Sequence, residues 1–130
     1  MRLTLLLILL FQCAYSTAGL RDVVREINKN FTYKADVDDN WQSCAKTKRL
    51  GTGDCEDYVF LVRCQLIKQG AIPEEIQVLG GQLNGSPHFV LRYKGKWVDT
   101  FGIKKRYPEF VIHSFWRSSK LNRILGGLSD

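Results

Sequence analysis

The stretch GTGDCEDYVFLVRC, residues 51–64, joins a glycine-rich turn to an apolar helical pattern through one cysteine set among three acids. Asp54 stands where a helix N-cap belongs, Glu56 and Asp57 fill an acidic first turn, and Gly70 follows the last periodic residue. The spacing predicts a helix over residues 55–69. Cys55, Val59, Val62 and Leu66 fall on one face of it, so whatever packs on this helix also meets the cysteine. The thiol there is under opposing influences. A helix N-terminus favours a thiolate through its dipole and free N–H groups, while the flanking carboxylates resist it. Capping alone accounts for the acids on one reading. On the other, three carboxylates within four residues supply the hard oxygen ligands that calcium takes. A bound calcium would neutralise them, fix the turn and restore conditions for a thiolate. It would be structural and permissive rather than the Lewis acid of a reaction.

Downstream, residues 76–79 read as a short strand, and PHFVLRYKGKWVDT (residues 87–100) reads as a hairpin about Lys94 and Gly95. A two-residue loop sets Tyr93 opposite Lys96, Arg92 opposite Trp97 and Val90 opposite Asp99. His88 and Asp99 then share a face on a diagonal, within reach of a histidine–carboxylate bond. A three-residue loop would shift the pairing and send Asp99 to the other face. A cysteine heading a helix and a strand pair carrying a histidine and then an aspartate together compose a thiol nucleophile with an oriented base. The histidine takes the thiol proton, and the aspartate fixes the imidazole tautomer.

The outer limits agree with a small exported domain. The chain has 130 residues and a net charge of +6. Its start, MRLTLLLILLFQCAYSTAG, reads as a signal peptide over residues 1–18, cleaved after Ala18, with one domain over residues 19–130. Its apolar run is too short to span a bilayer, so no stable membrane insertion is expected after cleavage. Export implies a periplasmic or secreted location. The basic balance suits contact with anionic surfaces. A nucleic-acid partner is not expected without a concentrated basic run. Cys44, Cys55 and Cys64 remain after cleavage. Either Cys44 pairs with Cys64 and leaves Cys55 free, or both are small core thiols; the spacing fits both.

Elsewhere, LRDVVREIN (residues 20–28) has helical periodicity, and residues 29–43 read as irregular. The KTKRLGTGD stretch supplies basic residues and a turn, and residues 115–125 suggest a helix. Trp41 reads as a packing residue or as part of an oxyanion site. Trp97 reads as core or as a wall of the site, and His113 as a core or rim residue. Arg117, Lys120 and Arg123 recur at helical spacing, as on a solvated face that also suits anionic lipid or wall polymer.

GDCEDYVFLVRCQLIKQGAIPEEIQVL (residues 53–79) and PHFVLRYKGKWVDT together resemble the bacterial transglutaminase-like cysteine proteinases, and INKNFTYKADVDDNWQ (residues 27–42) extends the resemblance upstream. It implies an α+β, papain-like or transglutaminase-like fold with the nucleophile helix packed on a small antiparallel sheet. It implies Cys55 as nucleophile, His88 as general base, Asp99 as orienting acid, and Asp54 and Glu56 as calcium ligands. The family's periplasmic, calcium-dependent members release an adhesin from the cell surface, which implies a protein or peptide substrate, such as a cell-surface protein. Phe89 stands where the family usually has a small or aliphatic residue, and less sequence follows the aspartate, so a reduced cleft is expected. The same triad also serves transglutaminases and cell-wall amidases, and a non-catalytic binding module could keep the same fold.

Overall fold

The structure, a computed structural model, describes residues 19–35 and 40–127. The expected signal peptide at residues 1–18 lies outside the described residues. Helix α1 (Leu20–Asn28) buries Leu20, Val23, Val24 and Ile27, the positions its periodicity marked. A two-residue strand β1 (Thr32–Tyr33) follows, then α2 (Cys44–Leu50), β2 (Thr52–Gly53) and the central helix α3 (Cys55–Lys68). After a 3₁₀ turn come β3 (Ile76–Leu83), β4 (Ser86–Tyr93), β5 (Lys96–Asp99), β6 (Gly102–Lys104), β7 (Phe110–Trp116) and the last helix, α4 (Ser118–Gly126). Strands β3 to β7 form one antiparallel sheet in the order β6-β5-β4-β3-β7, and β1 pairs with β2 in parallel beside the head of α3.

Helix α3 is apolar around most of its girth because it is enclosed by neighbours. Tyr58, Val59, Phe60, Leu61 and Val62 are all buried, between α1 and α2 on one side and β4 and β5 on the other. Fully burying a valine, leucine or phenylalanine side chain contributes about 1.5–3 kcal/mol. A disulfide between Cys44 and Cys64 clamps α2 to α3, which decides the cysteine question in favour of pairing and leaves Cys55 as the free thiol. Ser43 caps α2 by accepting from the Lys46 N–H at 3.1 Å. Leu121 of α4 joins the core, and the buried Arg63 donates to Ser118 at 3.0 Å and Asn122 at 2.8 Å, which docks α4 on α3.

The two sheet faces differ. Val78, Leu91, Tyr93 and Val98 join the α3 core. Leu79, Val90, Tyr107 and Phe110 form a smaller second cluster on the opposite face, with Trp97 packed against it. Both hairpins turn on two residues with positive φ: Asn84 and Gly85 at 52° and 80°, Lys94 and Gly95 at 49° and 75°. This is the type I′ pattern whose twist matches the flanking strands.

Four expectations are corrected. The first strand runs past residue 79 to Leu83, because the Asn84-Gly85 turn carries it through two glycines into β4. The KTKRL stretch is helical, belonging to α2, and Thr32 and Tyr33 form a strand within the segment read as irregular. The tail helix begins at Ser118, since Phe115 and Trp116 lie in β7, paired with Leu79 and Val78. In that ladder the register shifts between Gly80 and Gly81, which pair with Ser114 and Ile112 and leave His113 as the extra residue of a bulge. A bulge in an edge strand disrupts the row of free backbone groups that would otherwise invite another strand.

Candidate active site

Cys55 is the first residue of α3, placed by a reciprocal cap. The Asp54 carboxylate accepts from the Asp57 N–H at 3.1 Å, and the Asp57 carboxylate accepts from the Asp54 N–H at 3.2 Å. Asp57 also takes the Gln42 N–H at 2.9 Å and a second bond from the Gln42 side chain at 3.3 Å. Both oxygens of Asp57 are thus engaged in holding the preceding segment to the helix, which gives this acid a structural part. Gly53 permits the close approach: a Cβ there would lie 2.6 Å from the Asp57 Cβ.

The hairpin supplies the other half of the site. Tyr93 faces Lys96, Arg92 faces Trp97, and Leu91 faces Val98, the register of the two-residue loop. His88 Nε2 and Asp99 Oδ2 are 2.8 Å apart, and both residues are buried. The Asp99 Oδ1 accepts from the Phe101 N–H at 2.8 Å, and the Tyr107 hydroxyl donates to Asp99 Oδ2. Burial alone would raise the Asp99 carboxyl, but the bonds from His88, Tyr107 and Phe101 outweigh it and hold this acid below the usual carboxylate range. The Phe101 ring stacks on His88 with centroids 5.8 Å apart and is itself 68% exposed.

Strand geometry brings the halves together. Tyr93 and Leu91 turn their backbone groups toward β5, and Phe89, two residues further back, faces the same way. Strand β5 ends at Asp99, so Phe89 has no ladder partner there, and its N–H is directed at the Cys55 sulfur, as is the N–H of Glu56. The amide that follows His88 on the strand thus favours the Cys55 thiolate. Burial, then the Glu56 and Asp54 carboxylates, push the Cys55 thiol up to about 11 despite the two amides. Tyr33, on β1 opposite Gly53, is raised first by burial and then by Cys55, Asp54 and Glu56, so four groups that can carry negative charge converge on one spot. Asp54 and Glu56 are of the donor type that suits a hard cation. Among the described residues no cluster of three acidic, histidine or cysteine side chains is poised to hold a metal.

The remaining expected residues are placed as follows. Trp41 packs among Phe60, Phe89 and Trp116, with centroids 5.0, 6.1 and 5.0 Å away, which is a packing role. Trp97 packs on the second cluster under Arg92, whose guanidinium carbon is 4.9 Å from the ring centroid. His113 is exposed on β7. Lys120 lies over the Trp116 ring. Tyr107 escaped the sequence reading; its only signal is an aromatic before Pro108 in the segment after the hairpin. No helix among the described residues is long and apolar enough to cross a membrane.

No protein-family model matches the sequence, and no curated protein does. Solved structures of Legionella pneumophila LapG are similar. The EGTA-treated form aligns with a TM-score of 0.63 and 21% identity over 75% of this chain and 64% of that one. The calcium-bound form aligns with a TM-score of 0.63 and 20% identity over 78% and 70%, and a third LapG structure with 0.61 and 18% over 83% and 74%. The chain thus spans 64% of the length of the EGTA-treated LapG chain. Its mixed α/β architecture, helices packed with an antiparallel sheet, matches the fold of LapG.

Proposed function

We propose that this chain is an exported thiol hydrolase that cleaves amide bonds in a protein or peptide substrate through Cys55, His88 and Asp99. The observation that carries the reading is the His88–Asp99 bond on a strand whose next amide meets the Cys55 sulfur. With Nε2 held by Asp99, Nδ1 is the ring nitrogen left for the thiol proton. Cys55 attacks the amide carbonyl as His88 takes its proton, and the N–H groups at the head of α3 stabilise the oxyanion. His88 returns the proton to the leaving amine, and water releases the acyl group. Asp99 keeps the imidazole in the required tautomer throughout.

Asp54 and Glu56 would hold calcium; the existence of calcium-bound and EGTA-treated LapG structures supports this. Bound there, the ion supplies positive charge that offsets the two carboxylates now raising the thiol. The signal peptide at residues 1–18 would deliver the chain to the periplasm or outside. N-terminal sequencing of the exported protein should find Gly19 first.

The test is incubation of the full chain with a peptide library in the presence of calcium, read by mass spectrometry. New termini support hydrolysis, isopeptide bonds point to transamidation, and a Cys55→Ala variant should yield neither. Unchanged biological effect in Cys55→Ala would instead make the chain a binding module.

A further inference from the structure

We propose that Tyr107 is a positioning residue of this site, holding the Asp99 carboxylate so that one fixed oxygen is presented to His88. Asp99 is wholly inaccessible, and a carboxylate there must find its hydrogen bonds from the protein. Oδ1 has the Phe101 N–H, and Oδ2 is shared by His88 Nε2 and the Tyr107 hydroxyl. The phenol ring is immobilised on several sides. It packs 6.5 Å from Trp97 and 5.9 Å from Phe110, Lys104 Nζ lies 4.1 Å from its centroid, and the Phe110 N–H bonds to its carbonyl at 3.2 Å. A phenylalanine would fill the same space, so what the hydroxyl adds is its bond to Asp99.

Burial and Asp99 together push the Tyr107 phenol above its ordinary range, while the carboxyl is held low. The proton thus stays on the tyrosine, and the bond is one from a neutral donor to an anion. Such a donor disperses charge from Oδ2 and so sets how strongly Asp99 supports a protonated imidazole. The groups involved are few: Asp99 from β5, Tyr107 from the segment after β6, Tyr58 from α3, which feels the Asp99 charge, and Lys104 and Glu109 beside the phenol. The consequence for catalysis rests on the function proposed above; the coupling of Tyr107 to His88 through Asp99 stands on geometry alone.

The experiment uses the full chain with Tyr107→Phe. The titration midpoint of His88 is followed by NMR of its ring carbon, alongside kcat and KM for amide hydrolysis. Loss of the donor should raise the His88 midpoint by about half a unit, a threefold change in proton affinity. It should lower kcat about tenfold with KM unchanged, the scale of one lost hydrogen bond to a charged group. A midpoint equal to that of the unmodified protein overturns the proposal. If the midpoint moves while the unmodified protein cleaves no amide, the coupling holds and the hydrolase reading fails. Should Tyr107→Phe not fold, 3-fluorotyrosine at position 107, a stronger donor, should move the midpoint downward, and no movement would overturn the proposal.

Discussion

The two halves of the candidate site differ in how complete they are. On the hairpin, Asp99 has three donors for its two oxygens, all from the chain itself, and its ionised form is favoured despite total burial. At the head of α3, Cys55 lies between two carboxylates and within electrostatic reach of Tyr33. Two backbone amides aimed at its sulfur do not offset burial and that charge. The His88–Asp99 half is finished by folding, whereas the thiol, if it is the nucleophile of the proposed function, is left in need of positive charge. Under the proposed function a cation at Asp54 and Glu56 would supply it, with Asp54 also capping α3 by accepting from the Asp57 N–H.

Changes at the site should break this contrast most severely. Asp99→Asn should cost roughly three orders of magnitude or more in kcat, because the histidine loses the partner that fixes its tautomer. It should also remove a pH dependence of stability. The Asp99 carboxyl is lower in the folded chain than unfolded, so its contribution is present above the ordinary carboxylate pKa of about 3.9 and fades as pH falls below it. Denaturant unfolding at pH 7 and pH 3 should show a smaller acid loss for the variant than for the unmodified protein; equal losses would contradict this assignment.

Calcium removal should act on the other half alone. A chelator should slow probe labelling of Cys55 by about tenfold or more, on the scale of 1.4 kcal/mol per decade, and leave the His88–Asp99 bond in place. Equal labelling with and without chelator would return Asp54 and Glu56 to capping.

Smaller effects test the scaffold beneath the nucleophile. Replacing Cys44 and Cys64 by alanine should destabilise the chain by about 3 kcal/mol, the value expected for a loop of roughly 20 residues, seen as a lower denaturant midpoint. Ser43→Ala, which removes the α2 cap, should cost about 1 kcal/mol by the same measurement.

Much of this is legible in the sequence. The Asp54 cap, the face shared by Val59, Val62 and Leu66, and the Lys94-Gly95 register all follow from local periodicity, and that register brings His88 to Asp99. Helix α2 was not legible, because its sequence has little apolar periodicity and the structure holds it by a disulfide, the Ser43 cap and the buried Thr47. The β7–α4 boundary was blurred because Phe115 and Trp116 suit either period when read beside the apolar residues of α4. Tyr107 reaches Asp99 only through the path taken after β6, a tertiary contact that no local pattern records. The binding of Gln42 to Asp57 across 15 residues is of the same kind.

The most direct measurement is mass-spectrometric mapping of iodoacetamide labelling of the calcium-loaded chain at neutral pH, beside a His88→Ala variant. Rapid labelling of Cys55 that falls at least tenfold in the variant is the predicted result. Labelling of Cys55 at the same rate in both would show that the imidazole does not act on the sulfur, and would contradict the account.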